Sequence, residues 1–105
     1  MDKKEIGRIK EYIDAISSWC DIDEAYIFGS SVHGKSIEET DIDLAIFSKI
    51  FNEDNYIEYL SRFLILSAEN NLNVEPHLFN PEDLEEDFVR HEVIARGIKI
   101  SQKSV

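Results

Sequence analysis

The sequence runs to 105 residues, a length that fits one small domain, so residues 1–105 are expected to fold as a single unit. Hydrophobic residues make up 43% and aromatic residues 10%, enough to build a core and to set aside wholesale disorder. The formal net charge of -11, from 22 acidic against 11 basic residues, repels phosphate backbones and argues against autonomous nucleic-acid binding, while suiting a basic partner or bound divalent metal.

Met1-Asp2-Lys3-Lys4-Glu5 leads into a polar/apolar periodic segment without the apolar stretch of about 7–15 residues that a secretory signal needs. Nothing later approaches the roughly 20 apolar residues of a membrane span, and a cytoplasmic protein is expected. Ile6, Ile9, Tyr12, Ile13, Ile16 and Trp19 recur at steps of three and four, the stripe of an amphipathic helix. Cys20 is the single cysteine, which excludes an intramolecular disulfide and a cysteine-rich zinc site and points to a reducing compartment.

Ala25-Tyr26-Ile27-Phe28 is a short apolar run of strand formers that stops at Gly29-Ser30, the pattern of a buried strand ending in a tight turn. Across Asp41-Ile42-Asp43-Leu44-Ala45-Ile46-Phe47, strand alternation puts Ile42, Leu44 and Ile46 on one face and Asp41 and Asp43 on the other. Asn52 is the expected cap of a long helix carrying Tyr56, Ile57, Leu60, Phe63, Leu64 and Ser67 and ending near Asn70-Asn71, which packs on the sheet.

Asn73-Val74-Glu75-Pro76-His77-Leu78-Phe79 reads as extended. Pro76 cannot donate to a strand ladder and so assigns it to an edge or a strand end. Asn80-Pro81-Glu82-Asp83 has the cap, the proline and the acids of a helix start, and Gly97 is the expected end of that helix. Ser101 to Val105 are expected to fray. With no repeat and no linker, the pattern gives an α/β (α+β) fold, a small mixed sheet of about three strands packed with helices.

Chemistry concentrates in one spacing. Gly29-Ser30 leaves the first strand, ten residues intervene, and Asp41-x-Asp43 rides the next. Glycine admits close backbone approach, and turn N–H groups with a serine hydroxyl can cradle a triphosphate, so Gly29 and Ser30 are candidate nucleotide-binding residues. Aspartates at i and i+2 of a strand project side by side, which suits oxygen ligation of Mg²⁺ bound together with substrate phosphates. Either half alone is common in turns and strand edges; the combination on successive strands is not.

The combination resembles the signature of the nucleotidyltransferase superfamily that includes DNA polymerase beta. The short chain and the stretch Val74-Glu75-Pro76-His77-Leu78-Phe79 resemble, within it, the minimal nucleotidyltransferases encoded beside HEPN-type helical proteins. The resemblance covers about Ala25 to Gly97 and implies a metal-dependent transfer of a nucleoside monophosphate, AMP from ATP by default, with two Mg²⁺ ions. It also implies a third carboxylate from a neighbouring strand. Glu75, placed by alternation away from Val74 and Leu78, is the candidate, although the family's usual residue is aspartate. Asp41, Asp43 and Glu75 are thus the expected catalytic and metal-binding residues.

Polymerases and tRNA-tailing relatives use further domains with basic grooves, which this chain does not supply. The resemblance implies instead an antitoxin that adds AMP to a tyrosine of a HEPN-type toxin. A binding module that neutralises its partner by contact alone is the alternative, and an acidic structural subunit with a coincidental motif is a weaker third. The remaining candidates have more ordinary readings. His33, His77 and His91 lack zinc-ligand spacing and read as surface or hydrogen-bonded histidines, and His33 and Lys35 read as polar loop before phosphate contacts. Glu82 to Asp87 read as helix-start acids, and Trp19, Phe28, Tyr56, Tyr59 and Phe63 as core.

Overall fold

The computed structural model describes residues 3–29 and 41–102. Ser30, His33, Gly34 and Lys35 lie outside the described residues, so the expectations placed on them go no further here. The elements in chain order are α1 (Lys3–Ser17), β1 (Glu24–Phe28), β2 (Ile42–Phe47), α2 (Tyr56–Glu69) and β3 (Val74–Phe79). A 3₁₀ segment (Pro81–Glu85), a π-helical segment (Val89–Ile94) and β4 (Ile98–Gln102) follow. The fold is mixed α/β, and among the described residues no helix is long and apolar enough to cross a membrane.

The sheet order is β3-β2-β1-β4. β1 is antiparallel to both β2 and β4, whereas β2 and β3 run parallel with Asp43 opposite Glu75 and Ala45 opposite His77. Parallel neighbours need a crossover, and α2 supplies it. Alternation sorts the two sheet faces. Ala25, Ile27, Ile42, Leu44, Ile46, Val74 and Leu78 bury against Ile9, Tyr12, Ile13 and Ile16 of α1 and Phe63 of α2. The Tyr12 hydroxyl donates to the Phe63 carbonyl at 2.7 Å, which ties the two helices together, and burial raises the pKa of that phenol. The opposite face holds Tyr26, Phe28, Ala45 and Phe47 beneath Val89 and Val93.

Several sequence expectations need correcting. The sheet has four strands rather than about three: Ser101 and Gln102, expected to fray, belong to β4, which pairs with β1 through an irregular register at Ala25/Tyr26. The expected helix from Pro81 to Gly97 is broken. Asn80 is the expected cap and forms a capping box with Asp83, but Glu86 turns extended (φ -73, ψ 134) before the chain coils again. That break lets Val89 and Val93 face the sheet while Leu84 and Phe88 remain outside. Gly97 does close the second segment, its N–H donating to the Val93 carbonyl at 3.0 Å.

α2 begins at Tyr56, with Asn55 and not Asn52 at its N-cap. The Asn55 side chain is already committed to the Ile50 carbonyl and the Asn52 N–H, while Asn52 accepts from the N–H groups of Asp54 and Asn55. The helix ends as expected near Asn70-Asn71. Asn71 takes φ 55, and the bonds Leu72 N–H to Ser67 O and Asn71 N–H to Ala68 O make a Schellman closure. Trp19, expected in the core, falls beyond the end of α1 and is 44% exposed, stacked 6.5 Å from Tyr59. Phe63 and Phe28 are buried as expected, and Tyr56 and Tyr59 pack on the core's margin.

Cys20 is buried, and desolvation with the nearby Asp21 charge pushes its thiol up from 9.0 to about 11. The neutral form is the one the fold favours, so this contribution to stability is complete below pH 9 and lost as pH rises through 11. The urea midpoint is therefore expected to fall between these two values in the wild type. Cys20→Ala should flatten that part of the profile, and an unchanged slope in the variant would contradict the assignment.

Candidate active site

The apolar pattern of the second sheet face gives way at one end to polar residues. Alternation that points Ala45 and Phe47 of β2 and Phe79 of β3 toward Val89 and Val93 brings Asp43, Glu75 and His77 out on the same side. The parallel register sets Asp43 directly opposite Glu75. His77, two residues on from Glu75, leans back across the strand pair: its Nε2 lies 3.2 Å from Asp43 Oδ1 and 4.0 Å from Glu75 Oε1. One ligand atom from each of the three lies within 4.8 Å of the others. Asp43 is partly buried and Glu75 exposed, with 27% and 59% of their side chains accessible.

The end of β1 closes the site from the other side. Phe28 pairs with Asp43, and its ring meets the His77 ring edge-on at 5.1 Å. The next residue, Gly29, has φ +80, and a Cβ built there would overlap the Asp43 carboxylate. Both the left-handed backbone and the close approach require glycine. Gly29→Ala is expected to cost about 1–2 kcal/mol from backbone strain alone and in addition to push the Asp43 carboxylate aside. Chemical denaturation gives the first effect, and metal titration of the folded fraction gives the second.

The structure thus brings together Asp43, Glu75 and the Gly29 turn. Asp41 sits exposed just before β2, outside the group formed by Asp43, Glu75 and His77, and Ser30 is outside the described residues. His77 is hydrogen-bonded, as one reading of the sequence allowed, but its place in the carboxylate cluster was not anticipated. The available signal was its i+2 spacing from Glu75, which puts both on one strand face.

Among the described residues no lysine or arginine forms an ion pair with Asp43 or Glu75. Two carboxylates and an imidazole facing one point make a donor set suited to a divalent cation that completes its shell with water or phosphate oxygens. The residues therefore fit a divalent metal ion.

The profile of the family described as "Polymerase beta, Nucleotidyltransferase" matches residues 8–105. The chain belongs to this nucleotidyltransferase family. No curated protein sequence matches it. Among solved structures, the nucleotidyltransferase chain is similar to a Sulfolobus solfataricus protein described as a candidate nucleotidyltransferase, at 22% identity and TM-score 0.61, covering 90% of this chain and 86% of the other.

It is also similar to a structure of a tri-AMPylated Shewanella oneidensis HEPN toxin in complex with MNT antitoxin, at 16% identity and TM-score 0.55, with 98% and 74% covered. A third similar structure is a mutant of the toxin–antitoxin MntA-HpeT bearing two aspartate-to-glutamate changes, at 15% identity and TM-score 0.59, with 94% and 74% covered. At these identities the likeness is one of fold, and it agrees with the mixed sheet packed with helices described above.

Proposed function

We propose that this nucleotidyltransferase transfers a nucleoside monophosphate, AMP from ATP, to a hydroxyl on a protein, a tyrosine of a HEPN-type helical toxin, and so acts as an antitoxin in the cytoplasm. The observation that carries the reading is the register of Asp43 against Glu75 beside the Gly29 turn, in a chain of this family. The HEPN partner draws support from the fold shared with the MNT antitoxin of the Shewanella complex. The acidic surface, with net charge -11, favours a protein acceptor over a nucleic acid. The whole chain would work as one domain, with the partner completing the acceptor side.

In this mechanism Asp43 and Glu75, with Asp41 at the entry to β2, would hold two divalent ions, which would supply neutralisation of charge on the phosphates and the leaving group. Gly29 and Ser30 would hold the triphosphate through backbone N–H groups and the serine hydroxyl. Glu75, the more exposed of the two carboxylates, would take up the proton of the acceptor hydroxyl. The acceptor oxygen forms a bond to the α-phosphorus, the bond from that phosphorus to the bridging oxygen breaks, and pyrophosphate leaves with the electron pair.

The test is label transfer from each α-³²P-labelled NTP into the copurified partner. Denaturation-resistant label on one protein band, strongest with ATP, is the expected result. A partner that binds tightly yet takes no label from any nucleotide would favour neutralisation by contact alone. That second reading is motivated by glutamate standing where the family usually has aspartate.

A further inference from the structure

The third ligand-bearing side chain of the cluster is an imidazole, and its placement bears on which cation the site selects. We infer that His77 Nε2 ligates the cation directly beside Asp43 and Glu75, and that the site prefers an ion with affinity for nitrogen, Mn²⁺ foremost, over Mg²⁺. The inference rests on the reading that Asp43 and Glu75 hold a divalent cation, and it is independent of what the acceptor is.

Geometry supports direct ligation. For bonds of about 2.1 Å, two ligands of one ion lie about 3.0 Å apart when adjacent and about 4.2 Å apart when opposite. The separations of Nε2 from Asp43 Oδ1, 3.2 Å, and from Glu75 Oε1, 4.0 Å, fall within that window. The ring is also held in place. His77 stands opposite Ala45, whose small side chain leaves room for it to lean over β2, and Phe28 presses on it edge-on at 5.1 Å. A side chain fixed in this way gives up little freedom on ligation.

As placed, Nε2–H donates to Asp43 Oδ1. Ligation needs the other tautomer, with the proton on Nδ1 and the Nε2 lone pair toward the ion, so that His77 and Asp43 come to share a cation where they had shared a proton. Imidazole is a good ligand for the later divalent ions, whereas Mg²⁺ favours oxygen and keeps its waters. A histidine that merely braced Asp43 would leave the site's ranking of metals as an all-oxygen site has it.

Calorimetric titration with MnCl₂ and MgCl₂, each in the presence of a non-hydrolysable ATP analogue, separates the two roles. In His77→Ala the Mn²⁺ affinity is expected to drop by at least the roughly 10–100-fold that losing even a group supporting a metal ligand costs, while Mg²⁺ affinity changes about threefold or less. Spin-echo modulation from nitrogen is expected on Mn²⁺ bound to the wild type and absent in His77→Gln, which assigns it to His77 over His33 and His91.

Equal losses for both ions, no nitrogen modulation in the wild type, or no Mn²⁺ binding to it would each overturn the proposal. The wild-type spectrum keeps the test decisive should the variants fold poorly. Intact nitrogen-ligated Mn²⁺ binding with no label transfer would instead sink the transferase reading and leave this one standing.

Discussion

Asp43→Asn is expected to reduce nucleotidyl transfer on the order of a thousandfold, the rate equivalent of about 4 kcal/mol, while leaving thermal unfolding almost unchanged. Asparagine matches aspartate in shape, so the contact with the Gly29 backbone survives, and its carbonyl oxygen can still accept from His77 Nε2. What disappears is one negative charge from the two-carboxylate cluster proposed to bind a divalent cation. Initial rates of label incorporation for wild type and variant at matched partner concentration measure the effect. Incorporation within about tenfold of wild type would remove Asp43 from the reaction. Full neutralisation of the partner by an Asp43→Asn protein that transfers nothing would make contact the operative mechanism.

The largest expected effect on stability lies at Gly97. A Cβ built there would overlap the Val93 carbonyl oxygen and lie 2.8 Å from that of Ile27, and both obstacles are backbone. No rotamer change relieves such a clash, so Gly97→Ala has to shift either the π-helical segment or the middle of β1. A cost of about 3 kcal/mol is expected, a fall in Tm of roughly 15 °C at the usual conversion for a domain of about this size. Gly7→Ala is the control. A Cβ at that position in α1 meets nothing within 4 Å, and the variant should gain about 0.5–1 kcal/mol of helix propensity. Gly97→Ala should also lower the apparent metal affinity in proportion to the fraction of molecules that remains folded. Equal melting temperatures for the two variants would show that the passage over β1 is looser than drawn.

The parts of the fold that could be read in the sequence are those where one physical signal dominates. Tyr26-Ile27-Phe28 followed by Gly29, and the alternation from Asp41 to Phe47, define β1 and β2 because burial and pleat agree there. Pro76 placed its segment on an edge strand or at a strand end, and the sheet order has β3 at an edge. β4 escaped notice because Ile98-Lys99-Ile100 gives only one period of alternation before the chain turns polar, and its pairing with β1 is irregular.

The break at Glu86 was hidden for a different reason. Leu84, Phe88, Val89 and Val93 are compatible with one continuous helix, and only the need to bury Val89 and Val93 against a particular sheet face forces the chain to re-phase. In the site, alternation placed Asp43 and Glu75 on their strands, and the resemblance to the nucleotidyltransferase superfamily singled them out as candidates. Their mutual register, and the lean of His77 toward Asp43, depend on how β2 and β3 align, which no local pattern encodes.

Pro76 has a consequence beyond marking an edge. A proline in an outer strand stands where the missing N–H would have faced solvent, so the free margin of β3 offers an incomplete row of donors to any strand laid alongside it. Extension of the ladder by a second chain, the usual start of fibrillar growth, is disfavoured at the margin nearest Glu75. Whatever docks there has to be recognised by its side chains and cannot simply be stitched on through the backbone.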